Sequence, residues 1–342
     1  MYLEHYGFSD YPFRLTPDTD YLYMSSAHSR ALAYMEYAIF NREGFVVVTG
    51  EIGAGKTTLV KKLLGDLNEN IVVAKIFQTQ LDEVELLQAI LVEFGLNPFT
   101  AKKVELLNMI NQFLIDSYNE DKQVLLIIDD AQNLNKRVLE EITMLSSVET
   151  QKEKILHVIL VGQPELNIKL EDADMEQLLQ RISLRYHVRA LTDNEVKEYI
   201  IHRVKIAGID KNLFESDLYP KIVEYTGGIP RLINTLCDKL LTCGFADSKS
   251  IVNNTDFDNA INELQWKPHG DLYESYKSDN SFNENDNLYP NDRSLDDKGT
   301  IDLNELKDMF LGSYSTISSR ALVEISRQLK RIADHLEDSK SN

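Results

Sequence analysis

Between residues 45 and 190, short apolar runs rich in β-branched residues alternate with longer stretches whose apolar positions recur every three or four residues. Five runs read as strands: Phe45–Thr49, Ile71–Phe77, Val124–Asp129, Leu156–Val161 and Tyr186–Arg189. The intervening patterns, such as Glu83–Phe94 and Lys103–Ser117, read as amphipathic helices. Uninterrupted apolar strands joined by helices predict a parallel sheet covered on both faces. From Thr192 onward the strand pattern stops. Thr192 and Glu195 form a capping box that opens a helix over Asn194–Ala207. Further helices are predicted over Ser216–Tyr225, Pro230–Phe245 and Thr255–Leu264. The pattern therefore predicts an α/β fold: an N-terminal segment and helix (1–44), a sheet domain (45–190) and a small all-helical domain (191–265).

Residues 266–300 change character, with Asp, Asn, Ser and Gly dominating, and read as a polar linker. The tail, 301–342, predicts a short helix over Ile301–Leu311, capped by Asp302, and a longer one over Ser318–Glu337. In the latter, Leu322, Ile325, Leu329, Ile332 and Leu336 are spaced like the a/d seam of a heptad repeat. Such a helix either docks on its own domain or engages a partner, and the linker before it favours a partner or self-association. The 342-residue chain carries 36 basic and 55 acidic residues, a net charge of −19. The excess persists within residues 1–265, where 26 basic residues face 40 acidic ones, and it argues against a broad nucleic-acid footprint. Cys237 and Cys243 lie six apart in one predicted helix, facing different sides, which disfavours a disulfide between them. Met1–Gly7 lacks the basic-then-apolar signature of a secretory leader, and no apolar run reaches the roughly 20 residues a membrane span needs. The expectation is a soluble cytoplasmic chain that meets a membrane only through a partner.

The chemistry concentrates after the first strand. Gly50-Glu51-Ile52-Gly53-Ala54-Gly55-Lys56-Thr57-Thr58 has the full spacing of a phosphate-binding loop. Its glycines let main-chain N–H groups converge on an anion, and the following helix start adds partial positive charge. Lys56 can reach the β/γ-phosphates of a nucleoside triphosphate, and the Thr57 hydroxyl can ligate Mg²⁺. Val124–Ile128 leads into Asp129-Asp130 at the same sheet edge. Asp129 is placed to hold Mg²⁺ and Asp130 to orient or deprotonate an attacking water. Gln163, at the tip of the fourth run, can sense a γ-phosphate or serve only in a turn. Arg181 and Arg185 flank the last strand, where each can form a surface ion pair or reach a neighbour's phosphate in trans. Gly227-Gly228-Ile229-Pro230-Arg231 opens a helix, and a cation at that end is disfavoured unless an anion is near. Arg231 therefore reads as a phosphate contact.

Taken in order, these features resemble the AAA+ ATPases, with Walker A and Walker B motifs, sensor 1, arginine finger and sensor 2. Tyr6-Gly7-Phe8, Pro12-Phe13, Leu15-Thr16-Pro17-Asp18 and His28-Ser29-Arg30-Ala31-Leu32 resemble the start of the general secretion pathway protein A type. The phrases Gly44–Glu51, Leu160–Glu165 and Arg231–Asp238 are similar to secretion ATPases encoded at exosortase/PEP-CTERM and exopolysaccharide loci. The resemblance covers about residues 1–265. It implies an ATP- and Mg²⁺-dependent ATPase with a helical lid, working as a ring or other homo-oligomer for envelope secretion or polysaccharide export. It also implies that Tyr11 and Phe13 help enclose the adenine, and it leaves the tail helix as a possible partner contact. One departure bears on turnover: the family usually has Glu where this chain has Asp130. A carboxylate retracted by one methylene makes slow hydrolysis an expectation, since misplacement near 1 Å costs on the order of 100-fold. A nucleotide-gated adaptor and a DNA-associated protein of the transposition target-selector type are the competing readings.

Overall fold

The computed structural model describes residues 2–41, 44–77, 79–98, 102–148 and 154–270. Most of the predicted linker and the helices expected over 301–342, with the Leu322–Leu336 seam, lie outside these residues. The chain begins with α1 (Tyr2–Tyr6) and α2 (Ser26–Phe40), then enters β1 (Phe45–Gly50), α3 (Lys56–Asp66) and β2 (Ile71–Ile76). It continues through α4 (Glu83–Glu93), α5 (Lys103–Asn119), β3 (Gln123–Ile128), α6 (Lys136–Leu145) and β4 (Leu156–Gly162). Then come α7 (Glu165–Leu170), α8 (Glu176–Leu179) and β5 (Ile182–Val188). Helices α9 (Asp193–Ile206), α10 (Leu218–Thr226), α11 (Pro230–Ala246) and α12 (Asn254–Leu264) close the described region.

All strand pairs are parallel, in the order β2-β3-β4-β1-β5, so the phosphate-loop strand β1 lies between β4 and β5. Successive side chains on a strand point to opposite faces. Phe45, Val47, Leu126, Ile128 and Leu160 accordingly bury against the Leu86, Ile110 and Ile142 side of α4, α5 and α6. Val46, Val48, Leu125, Ile127 and Ile159 bury against Met35 of α2 and Leu59 of α3. With both faces covered, strands β1, β3 and β4 are apolar almost throughout, and each such buried side chain contributes roughly 1.5–3 kcal/mol. The exception is β5, which begins at Ile182, four residues earlier than its apolar pattern suggests. It pairs with β1 alone, and Ser183 and Arg185 on it are exposed, so it alternates like an edge strand.

The helical predictions hold within one or two residues, and the Thr192–Glu195 capping box is formed. The division at residue 44 is different. Helix α2 packs on the sheet, whereas Tyr2, Tyr6, Phe8, Phe13 and Tyr21 join the core of the lid helices. The Tyr2 hydroxyl donates to Asp238 Oδ1 at 2.5 Å, and that of Tyr6 to the Leu241 carbonyl at 3.3 Å, both on α11. Five aromatic rings within 20 residues need a core, and α9–α12 supply one. Cys237 and Cys243 are both free, and burial pushes the Cys237 thiol up and leaves it unreactive.

The turn from α10 into α11 has a strict requirement. Gly228 sits at φ +73°, and a Cβ there would collide with the Leu191 carbonyl, while its own carbonyl accepts from Leu191 N–H at 3.0 Å. Gly228→Ala should therefore lower the urea-unfolding free energy by about 2 kcal/mol, combining left-handed strain with the clash. An unchanged midpoint would contradict this packing.

Candidate nucleotide-binding site

Strand β1 ends at Gly50, and after five intervening residues α3 starts at Lys56. Between them Gly53 (φ +84°) and Gly55 (φ +94°) take left-handed conformations that curl the main chain into a cradle. Lys56 is buried, and its Nζ donates to the carbonyls of Gly50 (2.6 Å) and Glu51 (2.9 Å). Burial pushes the ammonium pKa down, opposed by the charges of Asp129, Asp130, Glu51 and Glu165. A desolvated cation whose hydrogen-bond acceptors are neutral carbonyls favours the arrival of an anion.

Beside it, the Thr57 hydroxyl donates to Asp129 Oδ2 at 2.7 Å, and the Asp130 N–H donates to Asp129 Oδ1 at 3.0 Å. Asp129 is 4% exposed, and burial raises its pKa against the lowering effect of these hydrogen bonds. A hydroxyl and a carboxylate side by side are hard oxygen donors of the kind Mg²⁺ takes. Asp130 adopts a left-handed conformation (φ +54°) with its side chain exposed. Gln132 Nε2 donates to Asp130 Oδ1 at 3.2 Å, and Gln132 Oε1 accepts from the Gln163 N–H at 3.0 Å. Gln132 thus joins the second carboxylate to the tip of β4. Gln163 and Thr58 line the cleft.

The lid is seated on the loop. The Arg231 N–H at the start of α11 donates to the Gly53 carbonyl at 3.2 Å, and a Cβ on Gly53 would run into Arg231. The Arg231 side chain is exposed along the cleft wall. A cleft of about 450 Å³ opens between the loop, the strap at Arg14–Tyr23, and α9 and α11. Its strap side is fixed from the lid: Arg203 donates to the Pro12 carbonyl (2.5 Å) and the Arg14 carbonyl (3.4 Å), and Asn234 also donates to Arg14 (3.4 Å).

The expected placements of Tyr11, Phe13 and Arg185 change, and Arg181 keeps its place before β5. Phe13 is 2% exposed in the lid core against Phe214, and Tyr11 packs edge-on to Tyr2 beneath the Arg14 guanidinium. Neither lines the cleft; Arg14–Asp18 and Tyr21–Tyr23 do. Arg181 donates to the Thr143 carbonyl (2.9 Å) and Ser146 Oγ (3.1 Å), closing the end of α6 within its own chain. Arg185 lies inside β5 rather than beside it, 4.0 Å from Glu171. Neither arginine lines this chain's own cleft. His28 and Asn234 lie within phrases that resemble the family, but nothing local marks their contacts with Ala54 and Arg14 or that of Gln132 with Gln163, because these partners are distant in sequence.

The electrostatics predict a stability effect. The folded-state pKa of Asp129 lies above its unfolded value, so this group adds stability below the ordinary carboxylate range and withdraws it as pH rises through the raised pKa. Asp129→Asn removes that cost and can still accept from Asp130 and donate to Thr57. It should raise the melting temperature of the nucleotide-free protein at pH 7.5, with the gain vanishing in acid. A lower melting temperature would show that the buried charge is stabilising.

A family model described as an AAA domain matches residues 40–170. General secretion pathway protein A of Aeromonas hydrophila is 37% identical over 265 residues, which are 77% of this chain and 48% of that relative. The chain thus spans about half the length of that curated relative. Among solved structures, the ORC2 protein of Aeropyrum pernix in its ADPNP–ADP complexes superposes with a TM-score of 0.54 at 16% identity, covering 69% of this chain and 66% of that one. Cdc6p of Pyrobaculum aerophilum gives 0.54 at 15% identity, over 76% and 70% of the two chains. At such identities the structures show the fold alone. Among the described residues, no helix is long and apolar enough to cross a membrane. Sheet order, phosphate loop and sequence relative agree, and the chain carries an AAA+ P-loop module of the general secretion pathway protein A type.

Proposed function

We propose that this chain binds ATP with Mg²⁺ in the cleft, hydrolyses it, and uses the cycle to drive or regulate envelope secretion or exopolysaccharide export. The observation that carries the reading is the buried Lys56 ammonium set behind the left-handed Gly53–Gly55 cradle, with Thr57 and Asp129 at its side. ATP, when bound, supplies the transferable phosphoryl group, and Mg²⁺ supplies positive charge against its oxygens. Main-chain N–H groups of residues 51–58 and Lys56 hold the phosphates. Thr57 and Asp129 hold the metal. Asp130, steadied by Gln132, takes a proton from the attacking water, and Gln163 lies beside that carboxylate's support. Arg231 brings a positive charge from the lid, so lid position and phosphate occupancy are linked.

Secretion as the setting rests on the likeness to general secretion pathway protein A. A homo-oligomer, in which Arg181 or Arg185 of one copy meets the cleft of the next, is part of the same proposal, as are cytoplasmic location and a partner at the inner membrane. A second reading, a nucleotide-gated adaptor with slow turnover, is favoured by one residue: Asp130 is one methylene shorter than the family's usual glutamate.

Lys56→Ala should weaken ATP binding at least about 100-fold, since the ammonium makes charge-assisted contacts in a dry site. Unchanged affinity would remove the site. Asp130→Asn should keep binding while cutting steady-state phosphate release by about 100-fold, the low end for a lost general base. Asp130→Glu separates the two readings: a large gain over a near-silent parent supports the adaptor, whereas brisk parental turnover supports the motor. Turnover that ignores protein concentration, unchanged in Arg181→Ala and Arg185→Ala, would refute catalysis in trans.

A further inference from the structure

Glu195 does more than close its own helix. Its Oε2 accepts from Thr192 N–H (3.0 Å), one arm of the capping box at the start of lid helix α9, and also from Thr192 Oγ1 (3.0 Å). Its Oε1 accepts from Ser26 N–H (3.0 Å) and Ser26 Oγ (2.9 Å), at the first residue of α2 on the sheet domain. One carboxylate therefore caps two helices from two domains, and both helix dipoles favour its charge. Next to Ser26, the α2 cap Ser25 places its Oγ 2.7 Å from His28 Nδ1. On the far side of the ring, His28 Nε2 lies 2.8 Å from the Ala54 carbonyl, inside the phosphate loop.

A carbonyl only accepts, so Nε2 carries the proton, and Nδ1 of the neutral ring accepts from the Ser25 hydroxyl. His28 is 3% exposed, and burial holds its pKa below the usual range, in keeping with that neutral form. In a planar trans peptide the C=O and the following N–H point in opposite directions. Drawing the Ala54 carbonyl toward α2 therefore turns the Gly55 N–H away from α2. Gly55 must be glycine for this contact, because a Cβ there would lie 2.9 Å from His28 Nε2.

We propose that His28 is a positioning residue that sets the orientation of the Ala54–Gly55 peptide, and that Glu195, through Ser26 and Ser25, makes this orientation depend on the lid. The path runs from lid carboxylate to serine corner, to imidazole, to loop carbonyl. It is separate from the Arg231–Gly53 contact and reaches the loop at Ala54 instead. It rests on the nucleotide-binding reading above, since the amides it orients act on phosphate.

The test is a fluorescence titration of the full chain with a mant-labelled ADP, comparing the parent with Lys56→Ala, His28→Ala, His28→Gln, His28→Asn, Glu195→Ala and the double variant His28→Ala/Glu195→Ala. Gln places its terminal amide where Nε2 stands, whereas Asn reaches only the Nδ1 position. His28→Ala and His28→Asn should weaken binding about 10-fold, and His28→Gln should stay within about 3-fold of the parent, the span expected for one buried hydrogen bond. Glu195→Ala should weaken binding about 3-fold, and the double variant should bind no more weakly than His28→Ala, because one path is cut twice. Should His28→Ala not fold, the Gln and Asn variants decide. Equal losses in Gln and Asn, or a double variant weakened by the product of its singles, would overturn the relay. Equal binding by the parent and Lys56→Ala would instead overturn the nucleotide site itself.

Discussion

The contact between the Gly53 carbonyl and the Arg231 N–H is the joint between the glycine-rich loop and the first turn of α11. At that point the carboxyl edge of the sheet and the first turn of a lid helix approach so closely that only a residue without Cβ fits. Gly53 is left-handed, as a loop closing on an anion must be, and bare, as a loop under a helix must be. The cleft lies beside that contact, between the loop, the strap, α9 and α11. In open parallel sheets, ligands bind outside the carboxyl ends of the strands, and here β1 lies between β4 and β5 with its loop at that edge.

Around the joint, charges are buried at a cost that ligand binding would relieve. Lys56 is desolvated with its pKa pushed down, and Asp129 is desolvated with its pKa pushed up. Each shift is unfavourable to the ionised form, which is the form a triphosphate and a divalent cation select. The two faces of the sheet, by contrast, are covered by large apolar clusters. Stability is concentrated in the layers, and strain and charge at the strand ends, a division expected where function requires locally unfavourable chemistry.

The N-terminal strap shows how one segment serves two structures. Tyr2, Tyr6, Phe8 and Phe13 belong to the lid core, while Arg14–Asp18 and Tyr21–Tyr23 just after them line the cleft. Tyr11 and Phe13 are therefore structural neighbours of the site rather than parts of it. Their apolar rings are drawn to the nearest large core, and Arg203 and Asn234 then fix the strap's carbonyls from below. The strap is thus part of the helical layer it packs on, and the cleft is walled on that side by the chain's own beginning.

Local spacing determined the strands buried on both faces, the Thr192–Glu195 capping box, the phosphate-loop motif and the Asp129-Asp130 pair, because each is written in residues within ten positions of one another. The start of β5 was hidden because an edge strand alternates polar and apolar residues and does not stand out as an apolar run. The contacts of His28 with Ala54, 26 residues away, and of Gln132 with Gln163, 31 away, have no local signal, nor has the sharing of Glu195 between Ser26 and Thr192. A capping glutamate looks the same in sequence whether it caps one helix or two. The sequence by itself determined the buried strands and the helices over 193–264, and it marked the loop after β1 as the candidate for phosphate chemistry. The tertiary structure alone decided which side chains converge there, because hydrogen bonding depends on positions to within a few tenths of an ångström that only packing of the whole chain establishes.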